Sequence, residues 1–222
     1  MTNFLENAKG PVTIQDQSES SEKPLIDRNE FGNKNMTVSE ESQKCFEVDE
    51  LEIEDFAAQE IDLNHCRIKS ISHLELFPNV KILCLRNNII KKIENMEPVS
   101  LTLVDLDLYD NQITKVENLD CLKELTCLDL SFNRIRIIEN VAEMIKLKKL
   151  FFVNNKLRKI ENLDALTSLE MLELGSNKIR VLENLGSLAN LDQLFVGKNK
   201  ITKLEGLDSL TNLKLLSIQA SL

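Results

Sequence analysis

From residue 51 onward, apolar and polar positions recur in one fixed order. The unit reads LxxLxLxxNxIxxIExLxxLxx and starts at Ala58, Val80, Leu103, Leu125, Leu147, Leu169, Leu191 and Leu213. Every step is 22 residues except one of 23, where Pro98-Val99-Ser100 adds a residue. Seven units are complete and the eighth stops at Leu222. A fixed period of this length marks a stack of structural repeats, because one such unit cannot bury its apolar face alone.

Each position of the unit has a physical assignment. In the unit that starts at Leu169, the alternation of Leu172 and Leu174 predicts a short strand with both side chains inward and Glu173 outward. Asn177 turns the chain out of the strand, and its amide can bond backbone groups freed by the bend. Asn88, Asn111, Asn133, Asn155 and Asn199 hold the same place, which predicts an asparagine ladder with Cys66 and Ser221 at its weaker ends. Ile179, Leu182, Leu185 and Leu188 line the return path at spacings of three, which suit 3₁₀ or short helical turns. The predicted architecture over 51–222 is an α/β solenoid. It is a horseshoe with a short-stranded parallel concave sheet and a 3₁₀ or short helical convex side. Residues 48–56 read as an N-terminal cap. The strand at 215–218 is expected to leave a bare apolar edge with an aggregation risk, so the chain reads as a C-terminally truncated solenoid, otherwise monomeric.

Composition divides the chain in two. Residues 1–50 show no sustained period, and stretches such as Gln15-Asp16-Gln17-Ser18-Glu19 have too little apolar surface to offset chain entropy. They are expected to form a disordered acidic tail. The tail has 11 acidic against 5 basic residues, −6 of the total net charge of −9. General nucleic-acid binding needs clustered Lys and Arg, so a basic protein surface is the expected partner. Five cysteines without a CxxC pair argue against a metal or disulfide framework. No leader-like stretch and no apolar run of about 20 residues occurs. The expected setting is a reducing one, nucleus and cytoplasm, with no membrane partner.

Catalysis finds no foothold in the pattern. Glu94, Glu117, Glu139, Glu161, Glu183 and Glu205 recur once per repeat, as turn residues do and a catalytic carboxylate does not. His65 and His73 lack a nucleophile or ligand constellation in register. No glycine-rich phosphate loop is present, and neither a cofactor nor a metal is expected. Cys84 on the outward row is read as a free thiol.

Binding chemistry collects at the outward strand position. Along the stack it reads Asp62, Cys84, Asp107, Asp129, Phe151, Glu173, Phe195 and Ser217. Nothing in the repeat requires phenyl rings at Phe151 and Phe195. Aromatics ringed by carboxylates have the chemistry of a binding hot spot. Tyr109, Asp110, Phe132 and Lys198 flank the row.

The repeats resemble a known family. The unit is of the leucine-rich type. LDLYDNQI at 106–113, LFFVNN at 150–155, MLELGSN at 171–177 and GKNKITKL at 197–204 resemble, in order, the leucine-rich-repeat regulatory subunits of protein phosphatase 1, of the subunit 7 kind. The resemblance spans about residues 59–219 and does not include the tail. It implies a non-catalytic subunit whose concave face grips the phosphatase catalytic subunit away from its active site, with a further phosphatase inhibitor protein as a candidate third component. It also implies that Asp129, Phe151, Glu173 and Phe195 are contact residues, beside Asp107 from the outward row. The family's remaining contacts lie in later repeats that this sequence does not include, so weakened phosphatase binding is one expected outcome. Another intracellular leucine-rich-repeat adaptor, ciliary or spliceosomal, is the alternative.

Overall fold

Leu172 sits at the centre of a strand only three residues long, and its side chain is fully buried. So short a strand persists because each neighbouring coil supplies an identical one beside it. The structure, a computed structural model, describes residues 13–15 and 55–218. Its strands are β1 (Thr13–Gln15), β2 (Glu60–Asp62), β3 (Ile82–Cys84), β4 (Asp105–Asp107), β5 (Cys127–Asp129), β6 (Lys149–Phe151), β7 (Met171–Glu173), β8 (Gln193–Phe195) and β9 (Leu215–Ser217). They form one sheet in the order β1-β9-β8-β7-β6-β5-β4-β3-β2. Every pairing is parallel. This is the expected leucine-rich-repeat horseshoe.

The register reproduces the sequence period. Leu150 pairs with Leu172 and Leu172 with Leu194, each 22 residues on. Only β3 to β4 steps by 23, Leu83 to Leu106. The extra residue is absorbed on the convex side, where Met96, Val99 and Leu103 are buried and Leu101 is pushed out to 87% exposure. A 3₁₀ turn at Glu97–Val99, with Pro98 at its start, makes the detour.

On the convex side the 3₁₀ option of the expected solenoid is the one realised, in its shortest form. Among the described residues there is no α-helix, and 3₁₀ helix is confined to Leu74–Leu76 and Glu97–Val99. Single turns satisfy the spacing of three instead: the Leu188 N–H donates to the Leu185 carbonyl at 3.1 Å, and Leu191 to Leu188 at 3.0 Å. Three leucines per return path thus point inward with only two i→i+3 bonds, and a helix has no room to propagate.

Two asparagine ladders hold the coils together. In the expected one, Asn88, Asn111, Asn133, Asn155, Asn177 and Asn199 are all buried. Asn177 is typical: its Nδ2 donates to the carbonyls of Phe152 (2.8 Å), Leu174 (3.1 Å) and Gly175 (3.1 Å), and its Oδ1 accepts the Leu157 N–H (3.0 Å). The second ladder falls in the Glu-Asn segments. Asn95, Asn118, Asn140, Asn162 and Asn184 adopt left-handed backbone angles, φ 55 to 61°. Each donates its Nδ2 to a carbonyl one coil back, at 2.6 to 2.7 Å. Asparagine tolerates that region better than other side-chain-bearing residues. His73 and Gly206 take the corresponding places at the two ends.

At the first coil, Phe56 stacks on Phe77 with centroids 5.8 Å apart; the rest of the expected cap, 48–54, lies outside the described residues. At the other end, the edge expected to stand open is paired. Thr13 lies against Leu215, Ile14 against Leu216 and Gln15 against Ser217. An edge strand offers a row of free N–H and C=O groups to any extended segment. The rest of the expected tail, 1–50, lies outside the described residues.

Candidate binding face

Strands of three residues turn the middle side chain inward and both end side chains outward, so the concave face carries two outward rows. The row predicted from sequence occupies the third strand position. Register pairs Asp107 with Asp129, Asp129 with Phe151, Phe151 with Glu173 and Glu173 with Phe195. All five candidate residues therefore lie on consecutive strands, β4 to β8, at a rung spacing of about 4.8 Å. Phe151 and Phe195 are half-buried and outside the apolar core, with half-buried Glu173 on the strand between them.

The carboxylates of this row are not all alike. Asp62 Oδ1 accepts the Asn64 N–H at 3.0 Å, Asp107 Oδ1 the Tyr109 N–H at 3.0 Å and Asp129 Oδ1 the Ser131 N–H at 2.8 Å. A short acidic side chain at the strand end thus fixes the backbone two residues on. Each of these aspartates therefore has a structural duty beside any role in binding. Asp129 is only 4% exposed, so its contribution to a surface is small. Phe151, Glu173 and Phe195 have no short carboxylate to make that bond.

Sequence reasoning missed the second row, although the same alternation of period two contains it. In its central part it carries Cys127, Lys149, Met171 and Gln193, all half-buried except exposed Lys149. A polarizable Met171 beside the Phe151–Glu173–Phe195 stretch adds apolar area that can adapt its shape.

An aromatic cluster forms the rim past the strands. Tyr109 and Phe132 pack with centroids 4.7 Å apart at 42°, and the Arg86 guanidinium lies 4.3 Å from the Tyr109 ring. Arg86 also reaches Asp107 Oδ2 at 3.4 Å. Phe132 has φ 55°, a left-handed conformation rare for a bulky residue. Asn87, Asp110, Asn154, Ser176 and Lys198 take it in other coils.

Burial governs the thiols. Desolvation pushes Cys84 and Cys127 up to about 12, and neighbouring aspartates (Asp62 and Asp107 for Cys84, Asp105 and Asp129 for Cys127) push the same way. Cys66 and Cys121 are raised too, by burial first. Such thiols stay protonated near neutral pH and are poor nucleophiles. The recurring glutamates Glu94, Glu117, Glu139, Glu161 and Glu183 are half-buried and Glu205 is exposed. Lys92, Lys115 and Lys203 lie within ion-pair distance of Glu94, Glu117 and Glu205. His73 faces Glu75 at 3.4 Å. Among the described residues no group of three or more His, Cys, Asp or Glu is placed to hold a metal ion.

Comparison with known proteins gives the rows a context. A family described as leucine-rich repeat matches residues 83–176. The protein phosphatase 1 regulatory subunit SDS22 of Saccharomyces cerevisiae is 47% identical over 88 residues, covering 38% of this chain and 26% of that protein. Protein phosphatase 1 regulatory subunit 7 of Xenopus tropicalis is 50% identical over 91 residues, 40% of this chain and 25% of that protein. The matched stretches thus span about a quarter of these curated relatives. A leucine-rich-repeat protein of Leptospira interrogans superposes with a TM-score of 0.66 at 30% identity, covering 72% of this chain and 42% of its own.

Proposed function

We propose that this chain, a leucine-rich-repeat protein of the kind represented by the phosphatase regulatory subunits, docks the catalytic subunit of protein phosphatase 1 on its concave face and performs no chemistry itself. One observation carries the reading: Phe151 and Phe195 flank Glu173 in strict register, half-buried and outside the core. Two rings about 10 Å apart, two rungs of the sheet, can seat apolar side chains of a partner while Glu173 meets a basic one between them. Desolvated aromatic anchors of this kind dominate interface energies. Glu173, Asp107 and the buried Asp129 contribute electrostatic steering toward a basic surface more than affinity. The names of the two curated relatives supply the partner. The proposed setting is the nucleus and cytoplasm.

The test is titration of the purified chain with the phosphatase catalytic subunit. Phe151→Ala and Phe195→Ala are each expected to weaken binding by about 2 kcal/mol, roughly thirtyfold, with an unchanged thermal melt. A Kd unmoved by the double substitution, or no complex at micromolar concentrations, overturns the reading.

A further inference from the structure

One flank of the solenoid carries a block of cations that the concave face does not use. In each coil the residue after the ladder asparagine donates its N–H to a carbonyl of the preceding coil: Arg134 to Ile113, Lys156 to Ile135, Lys178 to Leu157 and Lys200 to Ile179, all at 2.8 Å. These four side chains are exposed and stand in one row at about 4.8 Å per coil. The next residue in the chain is buried at Ile135, Leu157 and Ile179. The one after it, Arg136, Arg158 or Arg180, is exposed. Extended alternation puts residues i and i+2 on the same side, so a second row of three arginines runs beside the first at about 6.6 Å.

Two further observations separate this block from an ordinary solvated face. Among the described residues no ion pair involves any of these seven cations, whereas Lys92, Lys115 and Lys203 near by have glutamate partners. In two of the three coils that carry the arginine the residue after it is aliphatic: Ile137 is 49% exposed and Val181 41%. Those two apolar pads stand on alternate coils, with Lys159 between them. The block spans four successive coils of a chain whose net charge is −9.

We infer that this flank docks an extended acidic segment of a partner protein, carboxylates on the arginine and lysine rows and apolar side chains on Ile137 and Val181. Guanidinium forks take carboxylates bidentately, and three in a row suit a run of acidic residues. A nucleic acid fits less well. Residues 134–137, 156–159 and 178–181 carry no aromatic ring on which a base could stack, and the apolar pads Ile137 and Val181 have no counterpart in a sugar-phosphate backbone. This surface is separate from the concave rows and does not depend on their occupant.

The experiment uses the full chain and a labelled peptide of glutamates interrupted by leucines, followed by fluorescence anisotropy. Expected are saturable binding at low salt and a loss of at least about tenfold in affinity when Arg158→Gln, Lys178→Gln and Arg180→Gln are combined. All three side chains are exposed, so the melt should not move, and Arg158→Lys with Arg180→Lys should retain part of the binding. Phe151→Ala with Phe195→Ala should leave the peptide affinity unchanged. Unaltered affinity in the glutamine variant overturns the inference. So does a single-stranded oligothymidylate that binds more tightly than the peptide and is lost in the same variant.

Discussion

The side-chain amide of Asn177 donates to the carbonyl of Phe152, a residue of the preceding coil, at 2.8 Å. The same side chain accepts the Leu157 N–H and reaches two carbonyls of its own coil. It is therefore a bond between coils as much as a turn residue. Asn177→Ala leaves the buried Leu157 N–H without its acceptor and removes one donor from each of three carbonyls, which keep Asn155, Asn199 and the Asn154 N–H, and should cost about 2–3 kcal/mol. Asn190, which is exposed and donates to Thr167 O at 2.8 Å, should cost under about 1 kcal/mol as alanine. Urea unfolding of the two variants reads the difference, and equal midpoints would remove the ladder's claim to hold the stack.

Two glycines test the other turn. Gly206 has φ 72°, and a Cβ there would stand 2.4 Å from the Leu182 carbonyl oxygen. Gly186 has an ordinary φ, and its nearest neighbour, Ser209 Oγ, would lie 3.8 Å away. Gly206→Ala combines left-handed strain of about 1–2 kcal/mol with a backbone clash, whereas Gly186→Ala should be neutral or slightly stabilising. Thermal melts of the two variants should move apart, with Gly206→Ala the lower.

Asp129 separates holding a turn from holding a partner. Its Oδ1 accepts the Ser131 N–H, and the residue is almost fully buried. Asp129→Asn keeps an acceptor at that place and should lose little stability, while Asp129→Ala should lose about 1 kcal/mol. Urea midpoints of the two variants check this. A phosphatase affinity lowered in Asp129→Asn, with stability kept, would show that the charge itself is used.

Much of this molecule could be read from the order of its residues. A strict step of 22 leaves one way to stack the coils, so strand positions, the first ladder and even the detour at Pro98 followed from Leu and Asn spacing. The choice between short helical and 3₁₀ turns on the convex side was not legible, because inward leucines three apart are served equally by a helix or by two successive turns, and only hydrogen bonds such as Leu188 to Leu185 decide. The second ladder was hidden by its neighbour: in Ile-Glu-Asn the recurring charge draws notice, while the left-handed backbone at Asn162 carries the structure. At the binding row, Phe151, Glu173 and Phe195 were legible as outward residues. The bond from Asp129 to Ser131 was not, since an aspartate at a strand end reads the same whether it faces water or its own backbone. Lys149, Met171 and Gln193 were passed over because one outward row was followed where the strand offers two.

The thiols give a prediction in which pH sets the sign. Burial raises Cys84 and Cys127 from the ordinary 9.0 to about 12 in the folded chain. Below about pH 9 both states keep these protons, and the two thiols make stability no function of pH. Between about 9 and 12 the unfolded chain releases protons that the folded chain retains, so unfolding gains and stability falls as pH rises. The loss fades once the folded thiols ionise as well. Cys84→Ala with Cys127→Ala should therefore flatten the alkaline limb of a urea-midpoint profile relative to the parent chain. Iodoacetamide should modify Cys84 far more slowly than glutathione at pH 8, because the thiolate is the attacking species. Alkylation of the native chain at the free-thiol rate, or an alkaline limb unaltered by the double substitution, would show that these thiols do not sit in the desolvated, carboxylate-lined surroundings described above.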